Sequence, residues 1–400
     1  MDKIYGSDDF IKMFNEYASN IKEDTKELKK EIYDNAFILP FRDSSNLAEI
    51  DNEGGVFDSN GNIADLSKTR KTLSHVKVGY PPHYRFNSDV VYRDEDVVFL
   101  GYFSSHFGHF ILESLNRLWI YFDSGMSNKK AVYIGESDVF FIEILELFGL
   151  NKNNVERITK PAKFRSVVVP EESGLIFGSS YNKKHNEIYK RIRDNVKGRE
   201  YDKIYLSRTK FNKRETSVAG EQEIEKVFQD NGFKIIYPEH LRIEEQISLM
   251  KNCKHLAGIQ GTAMHLSLFA DDGIKLTVVF RAGDDIFSQQ IKINKMKNID
   301  YTGIKADLDF LRPFPYGMAY AVSVRNKYMK QWLKDSRYEY NDTIYEPNSL
   351  EDYISAEELK RWSRISTLKK KIKEKLVMFI TNFIFIKSLR KRIRYKLINR

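Results

Sequence analysis

The stretch from Tyr201 to Phe280 constrains this chain more than any other part of it. Three apolar runs rich in Ile, Val and Tyr alternate there with two segments of helical period, and a fourth run, Lys275 to Phe280, follows a short helix opening at Gly261. Strand-like runs separated by helical segments are the pattern of a parallel α/β unit. Ligands of such sheets sit beyond the carboxyl ends of the strands. Ser207, Arg208, Lys210 and Arg214 follow the first run, and Gly258, Gly261, Thr262 and Ala263 follow the third. Cations facing a small-residue turn at a helix N-terminus suit an anionic group such as a diphosphate. The plain alternative is that the arginines solubilise strand ends and that Gly258 and Gly261 only permit a turn.

Size and composition leave room for a second unit of the same kind. A chain of 400 residues, 42% hydrophobic, has apolar material for two α/β domains. Its single cysteine, Cys253, excludes an intramolecular disulfide framework and any cysteine-built metal site, and is expected to pack in a helix. The opening MDKIYGSDDFIKMF lacks the apolar heart of a signal peptide, so a cytoplasmic location is expected.

The net charge of +9 suggests a nucleic-acid binder until it is located. Between Lys360 and Arg400 stand fifteen Lys or Arg and one acid, Glu374, a surplus of 14 that leaves −5 for the first 359 residues. The basicity belongs to a tail, and nucleic acid is not expected as a partner. The apolar heart of that tail, Leu376 to Ile386, spans 11 residues, too few to cross a bilayer. Basic clusters flanking an apolar, aromatic helix fit an anionic membrane surface, with Phe379, Phe383 and Phe385 in the acyl boundary. Residues 365–400 are therefore read as a basic amphipathic tail that holds the protein, as a peripheral one, on the inner face of the cell membrane. A solvated or RNA-binding tail is the alternative.

Upstream, a helix is expected over Asp8 to Asn35, followed by loops around Asn52 to Asn62. SDVVYRDEDVVFLGYF, from Ser88, reads as two strands about a polar turn at Arg93 to Asp96. SSHFGHFILESLNRLWIYF has helical period, and AVYIG, VFFIEILELFGL and SVVVP continue the alternation. This gives a first α/β domain over residues 1–198, with the charged segment Lys190 to Lys203 as linker. A second domain covers 199–334, and the polar, aromatic segment 335–364 returns to the first.

In chain order, HFILE at His109 to Glu113, YLSR at Tyr205 to Arg208, Arg214, Glu221, YPEHLRIEEQ at Tyr237 to Gln246, and GIQGTA at Gly258 to Ala263 have an order and spacing similar to glycosyltransferase family 61. The likeness runs from Tyr102 to Arg281. Three positions depart from the family pattern: Gly220 where Asn is usual, Gln260 where His is usual, and His106 where Asn is common. The resemblance implies an α/β fold of the GT-B kind, two Rossmann-like domains facing a cleft, with the first on the acceptor side and the second binding a nucleotide sugar. It also implies an inverting transfer from a nucleotide-diphosphate sugar as co-substrate, with a UDP-sugar the first choice and the base left open, no cofactor and no obligatory metal. A membrane-associating tail suits a glycan or lipid-linked glycan acceptor of the capsule or lipopolysaccharide type.

Inversion is a single in-line displacement, so it needs a base for the acceptor hydroxyl and cations for the departing diphosphate. The candidates for diphosphate and nucleotide are Arg208, Lys210, Arg214, Glu221, Glu245, Gln246, Gln260 and the backbone of Gly261, Thr262 and Ala263. The first candidate base is Glu113 and the second His109; at i, i+4 on a helix they can face one cleft and bond to each other. Asp94 or Asp96 is the remaining choice, and a structural reading pairs Glu113 with Arg117. His106 and His109 suggest a metal pair, but no third ligand lies near in sequence. The Asp-x-Asp triplets at 94–96 and 307–309 are read as chance. A noncatalytic membrane-bound scaffold with a degenerate transferase fold and a sugar-phosphate transferase stay open beside the glycosyltransferase.

Overall fold

A computed structural model describes residues 2–42, 52–72, 75–80, 90–135, 142–211, 218–281, 285–307 and 320–340. In chain order the elements are β1 (Lys3–Tyr5), α1 (Asp8–Asn20), β2 (Lys22–Asp24), β3 (Lys30–Arg42), β4 (Asn52–Phe57), β5 (Thr69–Thr72), β6 (His75–Tyr80), β7 (Val91–Phe103), α2 (Phe107–His109), β8 (Lys130–Gly135), α3 (Ile142–Phe148), β9 (Val155–Arg157), β10 (Ala162–Pro170), β11 (Ser180–Asn182) and α4 (Lys183–Asp194). They continue with β12 (Lys203–Leu206), β13 (Val218–Ala219), α5 (Glu221–Asp230), β14 (Lys234–Ile236), α6 (Ile243–Met250), β15 (His255–Ile259), β16 (Lys275–Phe280), α7 (Ser288–Met296), β17 (Asp300–Lys305), β18 (Tyr320–Ala321) and α8 (Lys327–Ser336).

The second half is the parallel unit that its sequence pattern requires. Strands β12, β14, β15, β16 and β17 form one sheet in the order β14-β12-β15-β16-β17, every pair parallel. Both faces are covered, and the side chains alternate between them. On β12, Ile204 and Leu206 join one apolar cluster and Tyr205 the other; on β16, Leu276, Val278 and Phe280 face one way and Val279 the other. Each such buried aliphatic contributes about 1.5–3 kcal/mol by leaving water. The sheet has an unexpected sixth strand, because β1 pairs parallel with β17 through Lys3–Thr302 and Tyr5–Ile304.

The first half is an eight-stranded mixed sheet in the order β5-β6-β4-β3-β10-β7-β8-β9. Its β10-β7-β8-β9 part is parallel, while β3 runs antiparallel to both β10 and β4. Four local expectations differ here, and the first is that residues 52–57, expected in a loop, are the largely buried strand β4. Helix α1 stops at Asn20 rather than Asn35, because its buried stripe of Phe10, Phe14 and Ala18 runs out, and residues 30–42 are a strand. Residues Arg93 to Asp96 do not turn; they are extended within β7, and neighbours answer their charges, with Arg93 on Glu156 at 2.7 Å and Asp96 on Arg165 at 2.8 Å. Residues 190–194, expected within a linker, are the last turn of α4, whose Ile188, Tyr189 and Ile192 are wholly buried. One apolar cluster runs from Phe103 and Phe110 through Tyr189 to Leu206 and Leu256, so the two sheets share a core.

Residues 335–340 pack on the second sheet's outer cluster through Tyr338 and Tyr340. The rest of 335–364 and the basic tail lie outside the described residues. Among the described residues no helix is long and apolar enough to cross a membrane.

The segment after β7 is held by an unusual anchor. Arg117 is 1% exposed and donates to the carbonyls of Pro170, Leu66 and Lys68 at 3.0, 2.8 and 2.9 Å, with Glu172 at 3.6 Å. The alternative pairing of Glu113 with Arg117 is not formed, because Arg117 points into this carbonyl nest. Replacing Arg117 by Ala leaves Glu172 buried without its cation, so denaturant unfolding of Arg117→Ala is expected to show a loss of about 3–5 kcal/mol.

Candidate active site in the cleft between the sheets

The strand order of the second sheet fixes where a ligand can enter. Chain connections leave β12 toward β14 and return across it to β15, so the order reverses between β12 and β15 and a crevice opens beyond their carboxyl ends. A cleft of about 430 Å³ lies there. Arg208, Gln260, Gly261, Thr262, His265, Arg281, Asp285 and Tyr320 line it from the second sheet, and His106, Gly108, His109, Leu112, Ile176 and Phe177 from the first. The walls nearly touch, since a side chain at Gly108 would meet Thr262 Cγ2 at 2.7 Å.

One wall is cationic. A side chain on Gly261 would meet Arg208 Nη1 at 3.3 Å and Arg281 Nη2 at 3.7 Å, so two guanidiniums converge on a bare backbone. Burial and the neighbouring charge of Arg208 bring Arg281 down to about 10, against the pull of Tyr320, Glu221 and Asp285. Each guanidinium lies over an aromatic ring, Arg208 on Phe211 at 5.0 Å and Arg281 on Tyr320 at 4.2 Å. Gln260 is 3% exposed; it donates to Asp285 Oδ2 at 2.9 Å and accepts from the Arg281 amide at 3.1 Å. It thus fixes the backbone that carries Arg281. Two like charges held together make a site that gains from an anion.

Glu221 lies behind this wall, not in it. Gly220 adopts φ +80°, a left-handed turn open to glycine, and delivers Glu221 to the first turn of α5. The carboxylate is fully buried, accepting from the Arg208 amide at 2.8 Å and the Tyr205 hydroxyl at 3.4 Å. Burial raises it to about 7, in spite of the Arg208 amide and charge. Near neutrality it is therefore only partly ionised, and it adds less than a full negative charge behind the arginine pair.

The opposite wall carries a histidine backed by a carboxylate. His109 Nδ1 lies 2.7 Å from Glu113 Oε2, and Lys77 Nζ reaches the same oxygen at 2.9 Å. Glu113 is 3% exposed and does not line the cleft; His109 does. Burial would raise the Glu113 carboxyl, but the His109 hydrogen bond and the Lys77 charge outweigh it and hold the group below its ordinary range. An ionised Glu113 accepts a hydrogen bond from Nδ1–H, which leaves Nε2 of His109 as the acceptor toward the cleft. The peptide between them makes a short π-helical turn, Phe110–Ser114, a distortion common at functional sites.

Of the residues singled out from sequence, the cleft thus gathers Arg208, Gln260, Gly261, Thr262 and His109. Lys210 lies over the Tyr237 ring at 4.0 Å, Glu245 caps α6 and pairs with Arg199 at 2.9 Å, and Gln246 pins the carbonyls of Pro238 and Leu241. Ala263 packs on the core, and Arg214 lies outside the described residues. Asp94 and Asp96 both face Arg165, far along β7 from the cleft, and Asp307 pairs with Lys305 at 3.0 Å. Among the described residues no group of three or more His, Cys, Asp or Glu is arranged to hold a metal ion. Sequence reading missed Arg281 and His265. Arg281 was findable, since it follows an apolar run just as Arg208 does; His265 sits among buried apolar neighbours and carries no local signal.

Residues 107–279 match the family model described as Glycosyltransferase 61. The span begins on the histidine wall and ends just before Arg281. No curated protein matches the chain.

Glu221 gives this site a measurable signature. A carboxyl that holds its proton more tightly in the folded than in the unfolded chain makes the folded state bind more protons between about 4.5 and about 7. Its contribution to stability falls as pH rises through that window. Glu221→Gln keeps an acceptor for the Arg208 amide, so its urea midpoint is expected to lose this fall, and a wild-type slope in the variant would remove the assignment.

Proposed function

We propose, from the premise that this chain belongs to glycosyltransferase family 61 and is a glycosyltransferase, that it transfers a sugar from a nucleotide-diphosphate donor, a UDP-sugar foremost, to a hydroxyl of a surface-glycan or lipid-linked acceptor. The transfer is inverting and metal-independent, in the cleft of a GT-B arrangement. The observation that supports this reading most is the convergence of Arg208 and Arg281 on Gly261, across the cleft from His109.

In the reaction the acceptor oxygen attacks the anomeric carbon as the bond to the diphosphate breaks. The hydroxyl proton passes to His109 Nε2, and Glu113 stabilises the resulting imidazolium through Nδ1. Glu113 is thus a positioning carboxylate, which reverses the order of the two candidates. The diphosphate leaves with added negative charge, met by both guanidiniums and by the amides at Thr262 and Ala263. Gln260, where a histidine is usual, donates no charge; Arg281 supplies it. The basic tail, residues 365–400, would hold the enzyme at the membrane where a lipid-linked acceptor resides.

Calorimetry with UDP, GDP and CMP tests the donor site. One diphosphate is expected to bind, and Arg208→Ala or Arg281→Ala to weaken it about 10- to 100-fold, the worth of a charge-assisted contact. A folded wild-type protein that binds none would favour the noncatalytic scaffold. His109→Ala is expected to lower kcat by about 10²–10⁴ with donor affinity kept, and Glu113→Gln to do so less severely. Deleting residues 365–400 should abolish co-sedimentation with vesicles containing anionic lipid and leave diphosphate binding intact.

A further inference from the structure

His265 is 3% exposed and lines the cleft three residues beyond Thr262, in the same lining as Arg208, Arg281 and His109. Its ring is locked on two sides. It stacks on Phe287 with centroids 5.0 Å apart and planes at 25°, and Nδ1 lies 3.0 Å from Gln290 Oε1. Phe287 is held in a left-handed conformation, φ 57°, with its amide donating to Asp285 Oδ1 at 2.9 Å. Gln290 is fully buried, and its amide nitrogen is engaged with Ser267 Oγ at 2.9 Å and Asn294 Oδ1 at 3.0 Å. Gln290 therefore has only its carbonyl oxygen to offer, which requires the proton of His265 to sit on Nδ1. Nε2 is left as a bare acceptor on the cleft side.

We infer that His265 is a specificity-determining residue that reads a hydroxyl or amide N–H of the transferred sugar; this deepens the glycosyltransferase reading and rests on it. A neutral acceptor has nothing to give a phosphate oxygen, which also accepts, so its partner is a donor group. The group lying between a diphosphate on Arg208 and Arg281 and a base at His109 is the sugar itself. Burial keeps the imidazole neutral by bringing it down to about 4, against the Gln290 hydrogen bond. Its selectivity would not change across the physiological pH range. A sugar lacking the donor leaves a buried acceptor unpartnered, and that is how a polar pocket discriminates.

Two variants separate this role from a structural one. His265→Asn keeps a donor for Gln290 at the Nδ1 position, and His265→Phe keeps the stack on Phe287; both remove the acceptor at Nε2. Calorimetry would compare UDP, UDP-glucose, UDP-galactose, UDP-N-acetylglucosamine, GDP and GDP-mannose on the full chain and on both variants. The expected result is unchanged affinity for the free diphosphate, with the preference for one sugar nucleotide over its free diphosphate and over the other sugars reduced about tenfold. Preferences retained in both variants would overturn the inference, as would loss of diphosphate and sugar nucleotide alike in variants with wild-type melting. A wild-type chain that binds no diphosphate would remove the parent reading together with this one.

Discussion

The site depends on the parallel pairing of β12 with β15. With helices on both faces and the chain leaving these neighbours in opposite senses, the peptides beyond their carboxyl ends must diverge. Whatever residues occupy those positions are presented to the crevice. In this chain they are Arg208 on one side and Gln260, Gly261 and Thr262 on the other, with Arg281 contributed by the next strand. Both guanidiniums approach one backbone point at Gly261.

Burial and hydrogen bonding set the charge of the carboxylate behind each wall of the cleft. Glu221 is near enough to neutralise the arginines, yet desolvation keeps it partly protonated, while Glu113 on the other wall stays ionised because Lys77 and His109 both bond it. Two buried carboxylates thus reach different states through their surroundings alone, one partly protonated behind the arginine wall and the other ionised and orienting a histidine. His265 is a third variant, an imidazole buried deeply enough to remain neutral.

The fold of the second half was legible because fully buried parallel strands announce themselves as apolar runs, and Arg208 and Gln260 to Thr262 were legible because they end such runs. What failed did so where contacts are remote in sequence. Nothing local marks β1 as a neighbour of β17, or Lys77 as a partner of Glu113. Helix α1 ended early because two strands compete for the residues after Ile21, and the polar Arg93 to Asp96 stayed extended because opposite charges on neighbouring strands answer it. Glu113 and His109 were recognised as a pair from their spacing, but which one faces the cleft is decided by Lys77, thirty-two residues before His109 in the chain.

The most direct measurement is a crystal structure of the full chain with UDP and with GDP. The account predicts a diphosphate between Arg208 and Arg281, its terminal phosphate over Gly261 and directed toward His109. A nucleotide seated elsewhere, with both arginines turned away from its phosphates, would contradict it.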